Sequence, residues 1–304
     1  MAAVSAEGAI LRLEEAPTDA GAGPAVFVDR VAGLLQGWRR QGLKAESFGF
    51  AVAGDVDSDA GRLRMTPNLP RWQGYPFRDA FRRRLGLATV MENDANAAVW
   101  GVYAVELKRR PRSLIGVTLG TGVGGGLVMD GRLQRGATGS AGEIGHTQVA
   151  FPGKTCSCGS RGCLEAYAGT RGILGAARRL LRARPRDGRV LRGLCPDPKD
   201  LTPKILKLAA DRGDRIACEV WERTGAALAL GLTNAVLLTN PEALVLLGGV
   251  SRAGHWLLDP IRKAFRSRPY GTALRAVALR CAADPDCGCV GAALLAWEER
   301  SCRR

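Results

Sequence analysis

Residues 142–165 read GEIGHTQVAFPGKTCSCGSRGCLE. His146 is one of only two histidines in the chain, and three of the nine cysteines, Cys156, Cys158 and Cys163, follow it closely. Three thiolates and one imidazole at this spacing form the donor set of a closed, tetrahedral zinc site. Gly159 and Gly162 permit the tight backbone that a cysteine knuckle requires. No position is left open for a substrate, so the metal is expected to be structural. Glu143 and Glu165 flank this stretch. As isolated glutamates they would be surface residues; with a metal drawing their segments together, they could share one polar pocket.

Two other stretches carry chemistry. VTLGTGVGGG, residues 117–126, follows a strand pattern and is dense in glycine. Bare amides in such a turn can cradle phosphate oxygens, with Thr118 or Thr121 adding a hydroxyl. The same turn serves equally well as packing, and it fits neither a Walker loop nor a dinucleotide fingerprint. MENDANAAVWG, residues 91–101, places Asn93 and Asp94 where a strand becomes a helix. An aspartate there is either the helix N-cap or a carboxylate able to take a proton from a hydroxyl.

The rest of the chain alternates strands with helices, which predicts an α/β architecture. Residues 1–15 read as a hairpin. A helix opens at Pro24 and closes at Gly42, and SFGFAVAG (47–54) is a buried strand. FRDAFRRRLG (77–86) is a short helix, ATVMEN (88–93) a strand, and residues 95–110 one long helix. SLIGVTLG (113–120) is a strand, and LVMDGRLQ (127–134) a hairpin turning at Asp130-Gly131. Helices are expected over 164–184 and 203–240, a strand at EALVLLGGV (242–250), and helices from about 254 and over 290–299. Cys287 and Cys289 have knuckle spacing, but no further ligand lies nearby to complete a second site.

The 304 residues carry 46% hydrophobic and 24% charged side chains, an ordinary globular balance. No apolar run approaches the roughly 18 residues that span a bilayer, and the N-terminus lacks a secretion signal, so a cytoplasmic location is expected. The nine cysteines, odd in number, argue against a disulfide framework. The net charge of +15 comes mainly from scattered arginines. With no helix-turn-helix or finger pattern, specific nucleic-acid binding is not expected.

Four segments together resemble the ROK family of bacterial sugar kinases and sugar-responsive repressors: TPNLPRWQG (66–74), ENDANAA (92–98), LGTGVGGGLV (119–128) and the stretch from Gly142 to Glu165. LLGGVSRAG (246–254) and GAALLA (291–296) agree with it. The resemblance implies a two-lobed, actin-like sugar-kinase fold of the ribonuclease H type with a central cleft. The lobes would be residues 1–112, joined by the C-terminal helix 291–304, and residues 113–290. It implies ATP-dependent phosphorylation of a hexose, glucose foremost, with Mg2+ accompanying ATP and zinc as the structural metal. Asp94 would be the general base. Gly54, Asn68, Asn93, Glu143, His146 and Glu165 would contact the sugar, with His146 serving both zinc and sugar. Gly120, Thr121, Gly122 and Gly124 would meet the ATP phosphates, and Gly248 and Gly249 the adenosine. A homodimer is expected.

The chain departs from the family in two places. The family's opening strand and Asp-x-Gly-Gly-Thr turn have no counterpart here; residues 2–11 align with the family's segment just after that turn. An upstream start is the favoured expectation, and a sugar-binding protein without catalysis is the alternative. Val102 stands where family kinases commonly carry glutamate.

Overall fold

The computed structural model describes residues 1–66, 69–184 and 186–302. The first half of the chain forms β1 (Ala2–Val4), β2 (Ile10–Leu13), α1 (Pro24–Arg40), β3 (Ser47–Val52), β4 (Asp55–Asp57), β5 (Arg62–Met65), α2 (Phe77–Leu85), β6 (Ala88–Asn93), α3 (Asp94–Gly101), β7 (Leu114–Leu119), β8 (Val123–Met129) and β9 (Arg132–Gln134). The second half forms α4 (Glu165–Ala168), α5 (Thr170–Ala183), α6 (Arg189–Leu194), α7 (Pro203–Asp211), α8 (Arg215–Thr239), β10 (Ala243–Leu247), α9 (His255–Ser267), α10 (Thr272–Ala276), β11 (Ala278–Cys281) and α11 (Cys287–Cys302). Two compact units result. The first holds residues 1–110, 126–142 and 286–304; the second holds 111–125 and 143–285. The segment 126–142 therefore clusters with the first unit, whereas the sequence places it with residues 113–290.

In the first unit β3 and β6 pair in parallel, with Ser47 opposite Ala88 and Val52 opposite Asn93. An aromatic core lies beside them: Phe27 and Trp72 have ring centroids 4.8 Å apart, and Phe50 and Phe77 5.1 Å. Helix α11 packs on β3 and α3 through glycine. A Cβ at Gly49 would lie 1.9 Å from the Ala292 carbonyl oxygen, and one at Gly291 would lie 1.7 Å from that of Ala97. The hairpin of β8 and β9 turns at Asp130 and Gly131, both with positive φ, as the Asp-Gly pair predicts.

The expected helix over residues 95–110 is interrupted. The α-helix stops at Gly101 and a widened π turn, Val102–Glu106, comes next. The change occurs where Gly101 presses on α11, with a built Cβ only 2.1 Å from the Cys287 carbonyl oxygen. Cys287 and Cys289 lie within α11, not in a knuckle.

In the second unit β10 lies between β7 and β11, all parallel. Every residue of β10 is buried, which its unbroken apolar run ALVLL requires of a central strand. The expected helix over residues 203–240 is two helices. The buried Asp214 caps the second by accepting from the Ile216 and Ala217 amides. Gly231 of α8 fits under Leu164, so this helix is the floor of the cysteine loop.

Glycine packing gives a paired test. Gly291→Ala should lower stability by about 3 kcal/mol, because only a backbone shift relieves the contact. Gly33→Ala, on the open face of α1 where a Cβ meets nothing within 4 Å, should raise it by about 0.5–1 kcal/mol. Calorimetric unfolding of both variants measures the two signs; equal effects would refute the packing argument.

Candidate functional site

In the first unit the site is built at the junction of β6 and α3. Asn93, the last residue of the strand, is the helix N-cap. Its Oδ1 accepts from the Ala95 and Asn96 amides at 2.9 and 3.1 Å, and its Nδ2 donates to the Gly54 carbonyl at 3.0 Å. Gly54 can sit so near because it has positive φ and no side chain; a Cβ would lie 2.5 Å from the Met65 carbonyl oxygen. The capping task thus falls to Asn93. Asp94, one residue on, accepts from the next amide, Ala95, at 3.0 Å. The residue as a whole is exposed to solvent. Burial pushes its carboxyl above the ordinary aspartate value, opposed in part by backbone amides. A carboxylate with those properties, on a helix's first turn, can accept a proton from a hydroxyl. Asn68 lies outside the described residues.

In the second unit His146, Cys156, Cys158 and Cys163 converge, with one ligand atom from each all within 4.8 Å of one another. His146 Nδ1 is 3.8 Å from Cys156 Sγ, and Cys158 Sγ is 3.9 Å from Cys163 Sγ. A tetrahedron with roughly 2.3 Å metal–sulfur bonds has edges of about 3.8 Å, so these two separations match the edges of one such site. The Cys163 thiol is pushed up to about 12, by burial first and then by the neighbouring sulfurs. Sulfurs crowded in this way ionise together only when a cation shares the site. Gly159 and Gly162 both have positive φ. At Gly162 a Cβ would lie 2.0 Å from the Ala150 carbonyl oxygen, so the knuckle admits no side chain there. The other imidazole nitrogen of His146 is 4.0 Å from a Glu143 carboxylate oxygen.

One side chain joins this loop to the glycine turn. Glu165 Oε2 accepts from the Val123 amide at 3.1 Å; Oε1 accepts from the Ser157 hydroxyl at 2.5 Å and from the Cys156 thiol at 3.6 Å. Gly122 makes room for it, since a Cβ there would lie 2.4 Å from Oε2. The turn is tight: the Gly120 amide donates to the Gly122 carbonyl. Thr170, which opens α5, donates to the Gly120 carbonyl through both its amide and its hydroxyl. The Gly124 amide donates to Thr118 Oγ1 at 3.1 Å. Cβ atoms built at Gly120 and Gly249 would meet nothing within 4 Å, so those backbone faces stand open. Gly248 is instead held by packing, with positive φ and the Leu119 carbonyl oxygen 2.6 Å from a built Cβ.

The structure brings together Gly54, Asn93 and Asp94 in one unit. In the other it groups Glu143, His146 and Glu165 with the cysteines, and sets the Gly122 turn against Glu165. Sequence reasoning passed over Glu92, Ser157 and Thr170. Glu92 lies inside the quoted ENDANAA segment and is 1% exposed; a charged residue in a strand with apolar neighbours was the available signal.

The model of the ROK family matches residues 1–299. A glucokinase of Streptomyces coelicolor is 36% identical over 298 residues, which are 97% of this chain and 93% of that protein. A glucokinase of Thermotoga maritima is 37% identical over 224 residues, 73% of this chain and 69% of that one. Among solved structures, a ROK family glucokinase from Streptomyces griseus in complex with glucose and AMPPNP superposes with a TM-score of 0.84. It is 35% identical, and the match covers 98% of this chain and 95% of the other. The mixed α/β architecture is thus the actin-like sugar-kinase fold. With a family match running nearly end to end over a chain whose glycine turn and cysteine loop pointed the same way, the protein belongs to the ROK family.

Proposed function

We propose that this ROK protein transfers the γ-phosphoryl group of ATP to the primary hydroxyl of a hexose, with glucose the first candidate. The observation that carries this reading is Asp94: the adjacent Asn93 caps the helix, which leaves the Asp94 carboxylate to take the hydroxyl proton. Glucokinases at 36–37% identity support catalysis over sugar sensing. Gly54, Asn68, Asn93, Glu143, His146 and Glu165 bind the sugar hydroxyls. Gly120, Thr121, Gly122 and Gly124 receive the phosphates, and Gly248 and Gly249 lie along the adenosine. Mg2+ bound with ATP neutralises charge on the transferring group. The two lobes follow the compact units, residues 1–110 with 126–142 and 286–304, and residues 111–125 with 143–285. The protein works in the cytoplasm as a homodimer, without a specific nucleic-acid partner.

His146, Cys156, Cys158 and Cys163 hold a structural zinc. It supplies rigidity: a fixed imidazole and a fixed loop, against which Glu165 and Glu143 present their oxygens. A coupled ADP-release assay over glucose, N-acetylglucosamine, N-acetylmannosamine and fructose tests the function. No turnover of any of them would overturn it.

Asp94→Asn separates catalysis from folding. Loss of the base should lower kcat by roughly 10²–10⁴-fold while sugar still binds. The base acts deprotonated, so wild-type turnover should fall as pH drops through the raised Asp94 pKa. The stability effect has the opposite sign. A carboxyl whose folded pKa is raised stabilises the fold while protonated, and that contribution is lost as pH rises through the folded value. At neutral pH the charge is a cost, and Asn keeps the oxygen that the Ala95 amide needs. Asp94→Asn should therefore raise Tm at pH 7. Retained turnover would remove Asp94 from the mechanism.

Removal of zinc with a chelator, or Cys158→Ser, should weaken glucose binding well before AMPPNP binding when both are titrated calorimetrically. Unchanged glucose affinity would detach the zinc from the sugar site.

A further inference from the structure

A buried carboxylate outside the proposed chemistry lies directly beside the base. Glu92 is the penultimate residue of β6 within the first unit, 1% exposed, where an unpaired charge would be expensive. Four donors meet it. Oε1 accepts from the Asn93 amide at 2.9 Å, Asn96 Nδ2 at 3.1 Å and the Ser58 hydroxyl at 3.4 Å. Oε2 accepts from Arg135 Nε at 2.7 Å, and the Arg135 side chain is 35% exposed. Two of the four donors belong to residues that flank Asp94 on either side. Asn93 carries the cap, and Asn96 supplies one of the amides that the cap receives. Glu92 therefore grips the β6–α3 junction at both ends of the segment that presents the base.

Arg135 has a second attachment. Its carbonyl accepts from the Ala141 amide at 3.0 Å, which closes the loop 135–141. A few residues later the same strand of sequence reaches Glu143. One arginine thus fixes, through its backbone, the loop leading into a proposed sugar contact, and through its side chain, the mounting of the base.

We propose that Glu92 and Arg135 form a positioning pair: Arg135 pairs with Glu92 and orients it, and Glu92 holds Asn93 and Asn96 so that Asp94 meets the sugar hydroxyl. The pair touches neither sugar nor nucleotide and acts on the turnover step. This rests on the kinase reading, so the test has one arm that turnover does not control.

Arg135 is open enough to solvent for chemical rescue. Arg135→Ala should lower kcat by roughly ten- to a hundredfold with sugar KM little changed, as expected when a reacting group is misplaced by a fraction of an ångström. Millimolar guanidinium should restore part of the loss by refilling the place beside Glu92. Glu92→Gln should also lower kcat, but guanidinium should not restore it, because no carboxylate remains to hold the cation. Wild-type kcat in Arg135→Ala, or equal rescue of both variants, would overturn the proposal. The independent arm is amide hydrogen exchange. In Arg135→Ala the amides of Asn93, Ala95 and Asn96 should exchange faster while β3 stays protected. Unchanged exchange at these three amides overturns the pair even if turnover falls. Faster exchange in a protein whose wild type phosphorylates no sugar upholds the pair and overturns the kinase reading alone.

Discussion

The first unit depends on contact between bare backbones. Helix α11 reaches β3 and α3 because glycine stands at Gly49, Gly101 and Gly291, where any Cβ would fall within 2.1 Å of a carbonyl oxygen. Atoms that close leave no lateral freedom for the helix. The position of α3 is fixed in consequence, and so is the strand end from which it springs. Asp94 inherits its place from this packing, to which its own bond from the Ala95 amide adds a single contact. The parallel register of β3 and β6 supplies the other coordinate, since Val52 opposite Asn93 brings Gly54 within reach of the Asn93 amide group.

The second unit uses another device for the same end. There a carboxylate, Glu165, ties the cysteine loop to the start of β8, and glycine at position 122 is what lets it pass. The cysteine knuckle and the glycine turn would otherwise be separate loops. Each would then carry the mobility that loops usually have. Joined through one side chain, they become a single constrained surface with open backbone at Gly120.

The parts of this architecture legible from the residues were those where one local rule dominates. Pro24 starting α1, Gly86 ending α2 with positive φ and Asp130-Gly131 turning the β8–β9 hairpin all come from single-residue conformational preference. The ligand cluster was legible because His146, Cys156, Cys158 and Cys163 are rare residues at a telling spacing. What escaped was set by long-range contact. The β4–β5 hairpin carries Asp55 and Asp57, poor strand formers held in place by Arg64. The edge strand β11 has only β10 to define it. The break at Gly101 arises from a helix almost two hundred residues away in sequence, which no local pattern records. Glu92 escaped for the same reason: its partners Ser58 and Arg135 lie far from it along the chain.

The first unit is assembled from three separated pieces, residues 1–110, 126–142 and 286–304. During synthesis its sheet, aromatic core and early helices emerge long before α11 does. Chains lengthen at about 5–20 residues per second, and domains tend to fold as they appear. This one must wait for its last piece, with the glycine faces of β3 and α3 uncovered meanwhile. The second unit, whose main body is the single run 143–285, has no such delay. Translation therefore imposes an order in which the unit with the cysteine loop matures first and the unit with Asp94 is locked last. An immature chain would already bring His146 and the three cysteines together, while the junction at Asp94 still lacked the helix that fixes it.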